Sequence, residues 1–134
     1  MPPDVLSPED PREWLRRARS NLARARLGHG QPDVLLEDLC FDAQQAAEKA
    51  LKALFVLKNA AVPRTHSIAD LLTALTPLGL DIPGEIQKAA SLTDYAVAAR
   101  YPGPSEPVLA EDFEAAVELA QAVVTWATGI VLHD

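Results

Sequence analysis

The stretch from Leu39 to Lys58 constrains the fold of this chain more than any other segment. It contains five alanines and four leucines, its charged residues are spaced by helical turns, and it lacks glycine and proline. Alanine and leucine are strong helix formers, whereas glycine and proline are the usual helix breakers. An uninterrupted run of this length therefore predicts one long helix.

The composition predicts that the rest of the chain is helical as well. Hydrophobic residues make up 49% of the 134 residues but aromatic residues only 5%. The core has to be built from Ala, Leu and Val, a set that suits close-packed helices better than sheets. A chain of this length forms one domain with one hydrophobic core. We predict an all-α fold, an antiparallel up-and-down bundle of four longer helices plus one short helix, spanning residues 11–134 after a flexible lead-in at residues 1–10.

Capping and breaking residues set the predicted helix boundaries. Asp10 is placed to cap a first helix that opens with Pro11, and Ser67 is placed to cap a short third helix. The segment from Tyr101 to Pro107 contains three prolines and one glycine, which interrupt helical structure. The predicted helices span residues 11–27, 33–59, 67 to 77 or 79, 85–98 and 110–132.

Two of these helices have more apolar surface than one packed face requires. On the second helix, Phe41 and Val56 fall on the polar side, which is formed by Asp42, Gln45, Glu48, Lys49 and Lys52. On the last helix, the apolar stripe is widened by Leu119, Val123, Trp126 and Ile130. In a chain this small, such surface is best buried between subunits, so we predict a homodimer.

Charge is unevenly distributed along the chain. The net charge of −7 argues against a general nucleic-acid coat protein. Six of the 12 basic residues nevertheless fall between Arg12 and Arg26, whereas residues 101–134 contain six acids and neither lysine nor arginine. Two interpretations stay open: oppositely charged solvated helix faces that attract each other, or a basic docking face for phosphates or an acidic partner.

Several classes of protein are disfavoured by what the sequence lacks. Cys40 is the only cysteine, so an internal disulfide is excluded, and we expect this residue to be a small buried hydrophobe. No motif for a metal or cofactor site is recognisable, so we expect neither. We also see no signal peptide and no apolar run long enough to cross a bilayer, which predicts a cytoplasmic protein without membrane contact.

Four segments in order resemble the HEPN domain family, small helical bundles associated with nucleotides and RNA. The second helix contains Phe-x-Ala-Gln-Gln-x-x-Glu-Lys-Ala-Leu-Lys-Ala from Phe41 to Ala53, and the first begins Trp-Leu-Arg-Arg-Ala-Arg-Ser-Asn-Leu at Trp14. Arg64-Thr-His66 is similar to the family's Pro-[Lys/Arg]-Thr-His loop, and Tyr95 followed by Arg-Tyr-Pro from Arg100 resembles the end of its fourth helix. The resemblance covers nearly the whole chain and implies a HEPN bundle.

Many HEPN proteins are metal-independent ribonucleases whose signature is Arg, four to six residues, then His. In such a pair the arginine stabilises charge that develops on the phosphate and the histidine transfers a proton. Here Arg100 occupies the expected place, but Tyr-Pro-Gly-Pro-Ser-Glu-Pro follows it, without histidine. The ribonuclease signature is therefore absent, which disfavours enzymatic activity.

Other residues could still form a site around Arg100. His66 either caps or packs the start of the third helix, or meets Arg100 in space and replaces the missing histidine. Arg100 either interacts with a helix C-terminus or clamps a phosphate, and Asp94 could orient such a site. The polar strip of the second helix is either solvated, dimer-facing or in contact with a ligand. The candidate catalytic residues are thus Arg100 and His66, and the candidate ligand-binding residues are Arg100, Tyr101, Tyr95, Asp94 and Lys49.

Three functions are consistent with the sequence. The first is a nucleotide- or RNA-associated binding or regulatory module, a dimer that partners a minimal nucleotidyltransferase in a toxin–antitoxin-like pair, as the family resemblance implies. The second is a metal-independent ribonuclease with an atypical Arg/His site. The third is a purely structural dimerisation module. The missing histidine favours the first.

Overall fold

All regular structure in the described residues is helical. The computed structural model describes residues 7–95 and 107–133, and it contains no β-strand in those ranges. The α-helices are α1 (Pro11–Gly28), α2 (Leu36–Leu57), α3 (Ile68–Leu75), α4 (Gly84–Gln87) and α5 (Ala110–Leu132), and two 3₁₀ segments span Thr76–Leu78 and Lys88–Thr93. The predicted all-α fold is confirmed.

The start of α1 is the one that the sequence predicts. The Asp10 carboxylate accepts a hydrogen bond from the backbone N–H of Arg12 at 2.9 Å, and Pro11 is the first helical residue. The indole N–H of Trp14 donates to the carbonyl of Pro8 at 2.7 Å, which ties the preceding turn to the helix. The first helix is therefore anchored by side chains at its N-terminus.

Helix α2 is shorter at both ends than the predicted span of 33–59. Asp33 and Asn59 have φ angles of +66° and +55°, in the left-handed region. A residue in that conformation cannot continue a right-handed helix, and Asp and Asn are the non-glycine residues that tolerate it best. Local backbone geometry at these two residues thus limits the helix to Leu36–Leu57.

Helix α2 lies at the centre of the bundle, packed against α1, α3 and α5. Because it has neighbours on nearly every side, residues all around it are buried, and the small alanine side chains let the neighbouring backbones approach. The buried residues of α2 are Leu39, Cys40, Asp42, Ala43, Gln44, Ala46, Ala47, Glu48, Ala50, Leu51, Ala53, Leu54 and Phe55. Cys40 is among them, as expected, whereas Asp42, Gln44 and Glu48 do not form the solvated face considered from the sequence.

The fourth helix differs most from the prediction of a continuous span over 85–98. Within the described residues the span is α-helical over Gly84–Gln87 and again at residues 94–95, with 3₁₀ helix over Lys88–Thr93 between them; residues 96–98 lie outside the described part. Side-chain hydroxyls provide the physical reason. Ser91 donates to the carbonyl of Lys88 at 3.0 Å, and Thr93 accepts from the backbone N–H of Ile68. The bond from Ser91 occupies a backbone carbonyl of its own segment and so competes with the α-helical pattern.

Helix α5 begins and ends at the predicted residues. With a mean hydropathy of 1.6 over its most apolar window, it is long and apolar enough to cross a membrane by length and composition alone, contrary to our expectation that no such run exists. One face of this helix is nevertheless buried against α1 and α2, including Phe113, Ala120 and Val124. A core helix of the bundle accounts for its hydropathy.

Candidate functional site

The carboxylate of Glu48 is the centre of a hydrogen-bonded network in the middle of α2. This residue is only 2% exposed. One carboxylate oxygen, Oε1, accepts from Nζ of Lys52 at 2.8 Å and lies 2.8 Å from Nδ1 of His66. The other, Oε2, accepts from the side-chain amide of Gln44 at 2.7 Å. Lys52 and Gln44 each lie one helical turn from Glu48, and Gln45 also donates to Oε2 at 3.4 Å, so α2 itself supplies three of the four partners.

The electrostatics of this network keep Glu48 ionised. Burial by itself raises the pKa of Glu48, but the hydrogen bonds from Lys52 and His66 outweigh it and hold that pKa below its ordinary value. A buried carboxylate with its charge compensated in this way is a fixed negative group at neutral pH. It can therefore orient a cationic or hydrogen-bonding side chain.

His66 reaches Glu48 from the loop that precedes α3. Its neighbours hold that loop in place: the hydroxyl of Thr65 accepts from the backbone N–H of Ser67 at 3.0 Å, and the hydroxyl of Ser67 accepts from the backbone N–H of Asp70 at 3.2 Å. Ser67, not His66, therefore caps α3. With Nδ1 directed at Glu48 and 64% of its side chain exposed, His66 leaves its Nε2 edge available to solvent.

A second network joins α2 to α1. Nζ of Lys49 donates to Oδ1 of Asn21 at 2.7 Å, and Nδ2 of Asn21 donates to Oδ1 of Asp42 at 3.1 Å. Arg24 donates to the same carboxylate through Nε and Nη2. Asn21 and Asp42 are each only 6% exposed, so the network is built on a buried amide–carboxylate pair.

Lys49 is partly buried among charges of both signs, those of Arg17 and Arg24 and those of Asp42 and Glu48. Burial, followed by the charges of Arg17 and Arg24, lowers the pKa of Lys49. Arg17 in turn donates to Glu13 at 3.1 Å, together with Arg16 at 2.9 Å. The α1–α2 contact is therefore lined by alternating buried carboxylates and exposed cations.

The other candidate residues are distributed around the end of the second 3₁₀ segment. Asp94 is exposed, and Tyr95 is partly buried against the core, where burial raises the pKa of its hydroxyl. No hydrogen bond within residues 7–95 and 107–133 joins Asp94 or Tyr95 to His66 or Lys49. Arg100 and Tyr101 lie outside the described residues. The structure thus brings His66 to the polar strip of α2 and leaves Lys49 bonded to α1.

Sequence reasoning identified only part of this arrangement. The ion pair of Glu48 and Lys52 has the favourable i,i+4 spacing within one helix and can be read from the sequence. The contacts of Glu48 with His66 and of Asn21 with Asp42 connect residues distant in sequence, and were not anticipated. The available signal was the presence of Asp42, Gln44 and Glu48 in an otherwise alanine-rich helix. Among the described residues, no group of three or more His, Cys, Asp or Glu side chains is arranged to hold a metal ion.

Comparison with known proteins places this arrangement in a family. The family model for the HEPN domain matches residues 11–130. TT1696 from Thermus thermophilus is 37% identical, with a TM-score of 0.76 over 89% of this chain and 96% of that protein. The archaeal HEPN homologue ST0689 is 25% identical, with a TM-score of 0.69 over 91% and 98% of the two chains.

A third solved structure agrees in fold. The HEPN domain protein TM0613 from Thermotoga maritima is 23% identical, with a TM-score of 0.60 over 92% of this chain and 95% of that one. A search of curated protein sequences finds no match. Since the family model covers most of the sequence and the solved HEPN structures cover nearly all of the chain, the chain belongs to the HEPN domain family.

Proposed function

We propose that this HEPN protein is a nucleotide- or RNA-associated regulatory module that acts as a homodimer with a minimal nucleotidyltransferase, in a toxin–antitoxin-like pair in the cytoplasm. The observation that supports it is a HEPN bundle, matched over residues 11–130, in which no histidine follows Arg100 within the signature spacing. A HEPN fold without the Arg-x4–6-His pair keeps the scaffold of the family but lacks its usual proton-transfer group.

Complex formation with the product of the adjacent gene tests this proposal. The chain is co-expressed with that protein, one of the two is tagged, and the purified material is examined by size exclusion with light scattering. We expect a stable complex with a protein that has nucleotidyltransferase motifs. An adjacent gene of another kind, together with no association, would contradict the proposal.

Nucleotide titration separates this function from a purely structural dimerisation module. Isothermal titration calorimetry of the intact protein with ATP, and with a short single-stranded RNA, should detect binding of at least one of them. Absence of heat with both ligands, for a protein shown to be folded by circular dichroism, would favour the structural module. The same experiment with the co-purified complex tests whether the partner is needed for binding.

One observation favours a ribonuclease as the second candidate. Nδ1 of His66 lies 2.8 Å from the buried carboxylate of Glu48, and the rest of the ring is largely exposed. A carboxylate that holds one ring nitrogen of a histidine orients the other nitrogen, which is the arrangement of a general acid–base. His66 could therefore transfer a proton to or from a ribose hydroxyl.

RNA cleavage in the presence of EDTA tests the second candidate. The wild-type protein, His66→Ala and Arg100→Ala are compared, with His133→Ala as a control for removal of an exposed histidine at the end of α5. Activity in the wild type that is lost about 100-fold or more in the first two variants and retained in the control would support an Arg100/His66 site. An inert wild-type protein would rule it out.

A further inference from the structure

The contact between α1 and α2 presents a row of charged side chains to solvent. On α1, Glu13, Arg17, Asn21 and Arg24 recur at intervals of four, four and three residues, which places them on one face of the helix. Asp42 and Lys49 face them from α2, as the hydrogen bonds from Asn21 to Asp42 and from Lys49 to Asn21 demonstrate. We call this row the α1–α2 seam.

The carboxylates of the seam are buried, whereas its guanidinium groups are exposed to solvent. The side chains of Glu13 and Asp42 are 6% and 9% exposed, whereas those of Arg17 and Arg24 are 64% and 69% exposed. Arg17 contacts Glu13 through Nε, and Arg24 contacts Asp42 through Nε and Nη2. Each guanidinium has five N–H donors, so both arginines keep donors for a ligand on the solvent side.

Lys49 lies between these arginines without a carboxylate of its own. Its Nζ bonds to the neutral amide oxygen of Asn21, and within the described residues no acidic side chain lies in ion-pair distance of it. An ammonium group has three donors, of which Asn21 uses one. Burial, together with the positive charges of Arg17 and Arg24, lowers the pKa of Lys49. The charges of Glu48 and Asp42 act in the opposite direction but do not restore this pKa to its ordinary value, so a bound anion would further stabilise the charged ammonium.

We propose that Arg17, Arg24 and Lys49 form a binding site for the phosphate group of a small nucleotide. Guanidinium groups bind phosphate oxygens through paired hydrogen bonds, and a lysine adds a point charge and further donors. A chain with a net charge of −7 repels long polyanions, which favours a small phosphate ester over an extended RNA at this local positive surface. The choice of a nucleotide rests on the proposed function; the position of the site rests on the seam.

Calorimetric titration with ATP in EDTA-containing buffer at low salt tests the site. The variants are Lys49→Gln, whose amide can still donate to Asn21, and Arg17→Gln, which leaves Arg16 bonded to Glu13. The matched control is Arg19→Gln, which removes an exposed positive charge from α1 outside the seam. We expect each seam variant to weaken ATP binding about tenfold and the control to bind like the wild type. Thermal melts verify that all variants are folded.

Proton exchange gives a second readout that a structural role of Lys49 would not produce. A bound phosphate favours the charged ammonium, so binding at alkaline pH should be accompanied by proton uptake, measured from titrations in two buffers of different ionisation enthalpy. Lys49→Gln should lose this uptake. Binding by this variant with unchanged proton uptake would overturn the role of Lys49.

The outcomes distinguish the site from the function. Wild-type ATP binding that neither seam variant weakens would overturn the site and leave the proposed function intact. Binding of RNA through the seam, with no binding of ATP, would overturn the assignment to a small nucleotide. A folded wild type that binds neither would overturn both proposals.

Discussion

At the scale of single residues, the environment of Glu48 explains how a charge is tolerated in the core. Removing a carboxylate from water costs several kcal/mol unless its partners restore the lost interactions. Lys52 and His66 share one oxygen of Glu48, and Gln44 bonds to the other. The compensation is therefore complete only when α2 and the loop at residues 63–67 are both in place, so the network links these two elements.

The substitution Glu48→Gln should destabilise the fold by about 3 kcal/mol at pH 7, because it leaves a largely buried Lys52 without its carboxylate. Urea denaturation followed by circular dichroism measures the free energy of unfolding. Glu118→Gln, which removes an exposed carboxylate from α5, is the control and should change stability by less than about 0.5 kcal/mol. Equal effects of the two substitutions would contradict the role of the network.

The pH dependence of stability should contain a component from Glu48. Its pKa in the folded protein lies below the ordinary value of 4.5, so its contribution is present above that value and is lost as the pH falls through the folded pKa. The free energy of unfolding of the wild type should therefore decrease more steeply below pH 4.5 than that of Glu48→Gln. Parallel profiles of the two proteins would show that Glu48 does not contribute.

The thiol of Cys40 should be unreactive in the native protein. Its side chain is fully buried, and burial raises its pKa to about 12, so the reactive thiolate is not formed at neutral pH. Ellman's reagent at pH 8 should detect no thiol in the folded protein and one thiol per chain in urea. Fast stoichiometric labelling without denaturant would contradict the buried position, and Cys40→Ala gives the blank.

At the scale of the elements, the start of α3 depends on one side chain. The substitution Ser67→Ala removes the hydroxyl that accepts from the backbone N–H of Asp70 and should cost about 1 kcal/mol in the free energy of unfolding. Ser20→Ala is the matched control: Ser20 is exposed in the middle of α1, where alanine is the better helix former. Urea denaturation should find this control as stable as the wild type or slightly more so. A loss equal to that of Ser67→Ala would disprove a specific capping effect.

Local signals predicted most helix boundaries, and the exceptions have local causes in one case and a long-range contact in another. Asp10 and Ser67 are typical capping residues, so the starts of α1 and α3 could be predicted. Asp33 adopts a positive φ although it is not a glycine, so the sequence predicted a longer α2 than the structure has. At the end of the second 3₁₀ segment, the hydroxyl of Thr93 accepts a bond from Ile68, a residue 25 positions earlier. No pattern within one helix contains that information.

In the candidate site, too, contacts within one helix were predictable from the sequence and contacts between elements were not. The partnership of Glu48 with Lys52 follows from i,i+4 spacing. The contacts that join Glu48 to His66, and Asn21 to Asp42, span 18 and 21 residues. These contacts depend on the packing of α2 in the centre of the bundle. The same packing buries part of the polar strip of α2, which the charges of that strip alone would place in solvent.

At the scale of the whole molecule, the basic face of α1 and the acidic face of α5 meet in a groove. Arg26 lines a cavity of about 490 Å³ together with Glu114 and Glu118, and it donates to the amide oxygen of Gln121 at 2.8 Å. Because this bond goes to a neutral amide, the interpretation that the two faces attract each other stays a prediction. The more N-terminal arginine Arg17 faces α2 instead, which is why the seam, and not α5, is the proposed phosphate site.

The apolar surface of α5 leads to the prediction of a homodimer. Val123, one of the residues assigned to this surface from the sequence, is fully buried within the chain and contributes nothing to it. Leu119, Trp126 and Ile130 are only partly buried, and Ala122 completes a stripe with spacings of three or four residues. We expect light scattering at tens of micromolar to give twice the chain mass of 14.4 kDa. A monomer at that concentration would contradict the prediction.

A charge placed on this stripe should dissociate the dimer. Ile130→Glu puts a carboxylate on the stripe close to the C-terminal end of α5, where a second copy would have to bury it at a cost of several kcal/mol. Thr125→Glu adds the same charge to an exposed residue of α5 that lines the groove shared with α1. We expect light scattering to find Ile130→Glu monomeric and Thr125→Glu dimeric, both helical by circular dichroism. If Thr125→Glu dissociates and Ile130→Glu does not, subunits associate through the α1–α5 groove and not through the stripe.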